Sequence, residues 1–164
     1  MKEVREKSHR LPRSAYNGNV IVSFTINTDK RVAYFNDVEN IAITAQALAE
    51  AFETHLGHVG VYVFMPDHVH LIVSGSSPEK NLLDLVEGFK QKTTFRIRKN
   101  RKAFAWQKDF YDHIIREDED YGAQVRYLLR NPVRKGLCEH WEHWPHKGVL
   151  GQTWEQLVVN ITTS

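Results

Sequence analysis

The sequence predicts an α+β fold: a ferredoxin-like sandwich whose antiparallel sheet carries helices on one face, with a further helix towards the C-terminus. Three observations predict it. Stretches of strand-like composition, "VIVSFTIN", "HVGVYVFM", "HVHLIVSG" and "DFYDHIIR", are separated by stretches of helical period. Their order is strand, helix, strand, strand, helix, strand, which is the split β-α-β arrangement. The 164 residues suffice for one domain with a core and leave no room for two.

Residues 1–18 read as a flexible basic arm that ends at the turn signal "NGN". The first strand, 20–27, is β-branched and aromatic. Asn36 or Asp37 then offers an N-cap to a helix with Val38, Ile41, Ala45, Leu48, Ala49 and Phe52 at helical spacing, stopped by Gly57. Two strands joined by the Pro66-Asp67 turn form a hairpin. "SSPEKNLLDLVEGFKQKTTFRIRKN" opens on a Ser-Pro start signal, and Leu82, Leu83, Leu85, Val86, Phe89, Phe95 and Ile97 give it a helical pattern to about residue 100. Residues 109–116 read as the fourth strand. "EDEDYGAQVRYLLRN" reads as a helix whose acidic first turn suits the helix dipole and which Pro132 ends. The domain is expected over 19–140, with 141–164 as a C-terminal tail that holds three tryptophans and reads as ordered in part, without an assigned element.

Composition bounds the function. Cys138 is the only cysteine, so neither a disulfide framework nor a thiolate metal cluster can form within the chain. The start lacks a secretory h-region, and the apolar runs are too short to span a bilayer. The expectation is a soluble, cytoplasmic protein without membrane contact. The net charge of +2 hides a basic block: Lys90, Lys92, Arg96, Arg98, Lys99, Arg101, Lys102 and Lys108 fall between Gly88 and Lys108 with no acid among the intervening residues to 108. Such a block is either a solvated helix face or a site for a polyanion, commonly nucleic acid.

"VFMPDHVHLIVSG" poses the chemical question. Side chains alternate along a strand, so His68, His70 and Ile72 share one face and Val69, Leu71 and Val73 the other. Two imidazoles about 7 Å apart along a strand are either polar residues on a wet face or converging metal ligands. In the last helix, at roughly 100° per residue from Tyr127, Asn131 falls near 40° while Val125, Leu128 and Leu129 lie elsewhere. A phenol, an amide and two imidazoles form a coherent set for metal-assisted attack on a phosphodiester. Two neutral imidazoles and an amide would hold Mg²⁺ or Mn²⁺ loosely. A covalent phosphotyrosine stores the energy of the cleaved bond, so tyrosine chemistry fits strand transfer better than hydrolysis.

"MPDHVHLIV" followed by "WQKDFYDHIIREDEDYGAQVRYLLRNPVRKGL" resembles the HUH single-tyrosine transposases of small insertion sequences, and most of all the REP-associated tyrosine transposases. The resemblance covers about residues 16–140. It implies that His68 and His70 bind the metal, that Asn131 completes the metal site, and that Tyr127 is the nucleophile forming a 5′-phosphotyrosine, which makes its helix a C-terminal catalytic helix. It implies DNA cleavage and rejoining on single-stranded DNA folded into hairpins with palindromic repeats. Lys90, Lys92, Arg96, Arg98, Lys99, Arg101 and Lys102 would then contact phosphates, setting affinity and salt dependence. Trp106 or Phe104 offers base stacking or core packing. His113 matches the pattern without being counted as a ligand, and Asp67 reads as a turn residue rather than a base. A homodimer stays open.

Two rivals bear weighing. Nucleotide hydrolases with alternating histidines place a third one two residues on, where this chain has Ile72, and no Gly-rich phosphate loop is present. A domesticated, non-catalytic module that binds hairpin DNA or RNA would keep the same fold and basic face. A cleaving domain that no longer moves DNA is not separable from a mobile one by sequence.

Overall fold

The computed structural model describes residues 10–162. Five strands form one antiparallel sheet in the order β4-β1-β3-β2-β5. They are β1 (Ile21–Asn27), β2 (Gly57–Met65), β3 (His68–Gly75), β4 (Tyr111–Ile115) and β5 (Lys147–Leu150). The helices are α1 (Val38–Thr54), α2 (Leu82–Ile97), α3 (Tyr121–Leu129), α4 (Asn131–Arg134) and α5 (Trp154–Thr162). The first four strands keep the expected order and pairing. No helix among the described residues is long and apolar enough to cross a membrane.

Strand alternation gives the sheet two unlike faces. On one, Val22, Phe24, Ile26, Val69, Leu71 and Val73 pack against α1 and α2, with Leu48, Leu85, Val86 and Phe89 among their partners. On the other, Val61, Val63, Met65 and Ile72 pack under Val125, Leu128 and Leu129 of α3 and Leu157 and Ile161 of α5. Helices therefore cover both faces, the second only in part. Asp37 caps α1, accepting a hydrogen bond from the Glu39 amide at 2.9 Å. Asp120 caps α3 through the Ala123 amide at 2.9 Å.

The structure departs from the sequence reading at definable places. α2 starts at Leu82 under an Asn81 cap, the Asn81 side chain accepting from the Leu83 amide at 2.8 Å; the Ser-Pro signal at Ser77 and Pro78 lies four residues too early. Phe95 breaks the apolar pattern of α2 and is 70% exposed, because six residues beyond Phe89 is about 240° round the helix. Pro132 does not end the helical path. α3 stops at Leu129, Arg130 has φ −83° and ψ 0°, and α4 follows with Pro132 in its first turn, where a missing amide hydrogen costs nothing.

At the chain ends, the arm expected to be flexible is held from residue 10 on, and the tail expected to be ordered in part carries two elements. Residues 1–9 of the basic arm lie outside the described residues. From Arg10 on, the chain is fastened: Arg10 donates to Asp112 at 2.7 Å and to the Phe110 carbonyl at 2.8 Å, and Tyr16 is buried with its hydroxyl on Asp112. Burial, and then the neighbouring Asp112 carboxylate, push the Tyr16 phenol up to about 12. The region 141–164 supplies β5 and α5. Gly148 lies opposite Tyr62, and a Cβ there would sit 2.2 Å from the Tyr62 hydroxyl oxygen, so glycine is what lets β5 close on β2. Trp144 Nε1 donates to the Phe64 carbonyl at 3.0 Å and secures the approach to that strand.

Candidate active site

His68 and His70 stand on the α3 side of β3, as the alternation requires. Their ring centroids are 4.8 Å apart with planes at 85°, so the imidazoles meet edge to face rather than diverge. Each ring is held by its Nδ1. His68 Nδ1 is 2.7 Å from Asp67 Oδ1, and His70 Nδ1 is 3.0 Å from the hydroxyl of Thr25, its cross-strand partner on β1. These contacts leave the two Nε2 atoms as the ring nitrogens without those partners. Fixing a ring by the nitrogen that does not ligate is how metal-binding histidines are oriented in general.

Electrostatics keeps both rings neutral. Burial pushes His70 down to about 3, and the neighbouring His68, Arg134 and Arg31 push the same way. Burial also lowers His68, against an opposing pull from Asp67. Burial alone would raise the Asp67 carboxyl; hydrogen bonds from Arg31 and His68 carry it below the usual range. Arg31 grips that carboxylate with Nε at 2.8 Å and Nη2 at 3.3 Å, and reaches Asn27 Oδ1 at 3.1 Å. The left-handed backbone at Lys30 and Arg31, φ 54° and 55°, carries the guanidinium there.

Asn131 comes to the pair from the start of α4. Its side chain is buried, with Nδ2 3.5 Å from His68 Nε2. A half-turn of the amide would turn Oδ1, an acceptor, toward the same imidazole. Tyr127 stands one turn earlier on α3 and is 65% exposed, while its neighbours Val125, Leu128 and Leu129 are buried. Arg134 ties this turn together. Its guanidinium lies 3.6 Å from the Tyr127 ring centroid, donates to the Tyr127 carbonyl at 2.7 Å, and approaches Asn131 Oδ1 at 3.4 Å. The sequence of contacts from phenol to imidazole is thus Tyr127, Arg134, Asn131, His68. A cleft of about 270 Å³ opens beside His68, lined by Arg31, Met65, Asp67, Lys135 and Leu137 among others.

The donors suit a weakly held divalent cation: two neutral imidazoles, each oriented from behind, and an amide at contact distance. Among the described residues no group of three or more His, Cys, Asp or Glu could hold a metal, so a closed zinc cage is not built there.

Other expected site residues lie elsewhere. The basic block belongs to α2 and the turn after it, and α2 packs on the opposite face of the sheet from the histidines. Several of its head groups are engaged: Lys92 and Arg96 with Glu50, Arg101 with Asp37, Arg98 Nε with the Phe104 carbonyl, and Lys90 with the carbonyls of Gln107 and Lys108. Lys99 sits over the Phe95 ring at 5.0 Å. Phe104 and Trp106 are core residues, 0% and 8% exposed. His113 bonds Glu119 at 2.7 Å, and Glu119 in turn receives Gln124. Sequence reading missed Thr25, Arg31 and Arg134 as supports and saw in Asp67 only a turn residue. Only Arg134 had a local signal, lying seven residues, or two helical turns, beyond Tyr127.

The comparisons agree with this architecture. A REP-associated tyrosine transposase of Escherichia coli (strain K12) is 26% identical over 87 residues, 53% of this chain and 51% of that protein. A Haemophilus influenzae protein named as a candidate REP-associated tyrosine transposase is 29% identical over 93 residues, 50% of this chain and 53% of that protein. The chain thus spans about half the length of the curated relatives it matches. A solved REP-associated tyrosine transposase bound to a REP hairpin superimposes with a TM-score of 0.73 at 22% identity, over 97% of this chain and 86% of that one, which establishes a shared fold. A sequence model of the family described as Transposase IS200 like matches residues 17–127, more than half of the chain, and the chain belongs to that family.

Proposed function

We propose that the protein cleaves and rejoins single-stranded hairpin DNA through a 5′-phosphotyrosine on Tyr127, at a site where His68, His70 and Asn131 hold Mg²⁺ or Mn²⁺. The observation that carries this reading is the contact path from an exposed phenol through Arg134 and Asn131 to a neutral imidazole pair. A hairpin is the proposed substrate because a solved neighbour of the same fold is bound to one.

In this reading the Tyr127 oxygen attacks the phosphorus, a Tyr–O–P bond forms, and the bond to the 3′ oxygen breaks. The phenol proton ends on the departing 3′-hydroxyl, so the step balances without water. The phosphodiester energy stays in the tyrosyl ester, and a new 3′-hydroxyl can reverse the step. A divalent cation would polarise a non-bridging phosphate oxygen and offset its developing charge. Asp67 and Thr25 keep His68 and His70 in the tautomers that present Nε2 to it. Arg134 positions the Tyr127 ring and adds positive charge where the phosphate must sit. The basic face of α2 would contribute phosphate contacts from the far side of the sheet.

The test is incubation of end-labelled hairpin single strands with the protein and Mn²⁺, followed by a denaturing gel. A covalent protein–DNA band is expected with the native chain and should vanish in Tyr127→Phe. Binding without an adduct in any divalent metal would sink the enzyme reading and leave a binding module.

A further inference from the structure

A second cleft, about 710 Å³, lies between α2 and residues 105–108 on the side of the sheet away from the histidines. Four cations line it, Lys90, Arg98, Lys99 and Lys108, and no acid does. Lys90 forms its back wall by donating to the carbonyls of Gln107 and Lys108 at 2.8 and 3.1 Å, which lashes that segment to the helix. The wall also carries Trp106, whose Nε1 is the one buried side-chain polar atom among the described residues with no hydrogen-bond partner. Phe95 stands at the mouth with its ring 70% exposed beside Lys99.

We propose that this cleft binds single-stranded DNA, stacking an unpaired base on Phe95 and taking the flanking phosphates on Arg98, Lys99 and Lys108. The proposal rests on the DNA reading given for the Tyr127 site. An exposed phenyl ring amid cations and without acids matches the two surfaces of a single strand, its base faces and its phosphates. The π-face accepts any base, and the cations accept the backbone. A duplex hides its base faces, so the ring discriminates paired from unpaired DNA. Grip and chemistry would then occupy opposite faces of one sheet.

The test is fluorescence anisotropy of a labelled short oligothymidylate and of a blunt duplex of equal length, across a salt series. Phe95→Ala is expected to weaken oligothymidylate binding roughly fivefold or more, with Phe95→Trp restoring it, and to leave the duplex within roughly twofold. Lys99→Ala should flatten the salt slope by about one. Because Phe95 lies outside the core, thermal denaturation of each variant should match the native chain. Unchanged oligothymidylate binding in Phe95→Ala overturns the proposal, as does equal weakening of the duplex. Loss of a dimer in sedimentation with DNA binding intact overturns it too and makes the ring a subunit contact. Phe95-dependent binding without any tyrosine adduct would leave the cleft standing while the chemistry at Tyr127 fell. An adduct with Phe95-indifferent binding would do the reverse.

Discussion

The two faces of the sheet are drawn from alternate residues of the same strands, yet they do different work. On β3, Val69, Leu71 and Val73 are each 0% exposed and sit wholly in the core under α1 and α2. Their neighbours His68 and His70 face the other way, beside a smaller core that ends at Ile72. The first face buries side chains for stability alone. The second buries imidazoles, which costs solvation unless each is neutral and hydrogen-bonded, and here both conditions are met. One strand thus supplies rigidity to one side and a positioned polar site to the other.

The largest effect that would break this division is in the core. Phe24→Ala should cost about 3–5 kcal/mol of unfolding free energy in urea titration, since Phe24 is fully buried and stacks edge-on to Phe110. Its neighbour Thr25→Val keeps volume and faces the site, so its cost to stability should stay near 1 kcal/mol. Its consequence should appear at His70, which loses its Nδ1 partner. Equal destabilisation by the two substitutions would show that the faces are not divided as described.

The next effect sharpens the polar side. Asp67→Ala removes the acceptor behind His68 and frees Arg31, and should weaken Mn²⁺ binding by roughly 10–100-fold in calorimetry. Asp67→Asn keeps an acceptor and loses only the charge, so its effect belongs at the low end of that range. If neither moves an affinity that the native chain displays, the aspartate is a turn residue after all and His68 is held by packing.

How much of this was legible in the sequence follows the same division. The core face, the hairpin and the imidazole pair were readable because each depends on period-two alternation within a few residues. The exposure of Tyr127 was readable from the helical angle between it and Val125, Leu128 and Leu129. What escaped depends on register between distant segments. Thr25 supports His70 only because β1 pairs with β3 in that register. β5 exists because Gly148 can lie against Tyr62, and no local pattern in "HKGVLG" announces it. The basic block read as uniform, while Glu50 and Asp37, far away in sequence, engage Lys92, Arg96 and Arg101 and leave the Phe95 edge open.

The smallest effect separates the faces by pH. Both histidines have folded-state values below the unfolded 6.5, so between roughly pH 5 and 6.5 the unfolded chain binds more protons than the folded one. Stability is therefore complete above that window and falls as acid is added, by at most about 1.4 kcal/mol per pH unit for His70, with His68 adding in the same direction. The lowered carboxyls of Asp67, Glu50 and Glu119 act the same way, but only below the ordinary carboxylate range, so the upper part of the window belongs to imidazole. Urea midpoints at pH 6.5 and 5.5 in metal-free buffer should differ for the native chain and lie closer together in His70→Gln, which loses the His70 contribution while those of His68, His55 and His146 remain. Phe24→Ala should shift both midpoints together and keep their separation, because it removes no titrating group and leaves every lowered imidazole in place. A pH slope unchanged in His70→Gln would mean that the acid sensitivity arises away from the site and that the imidazole pair is not kept neutral by burial.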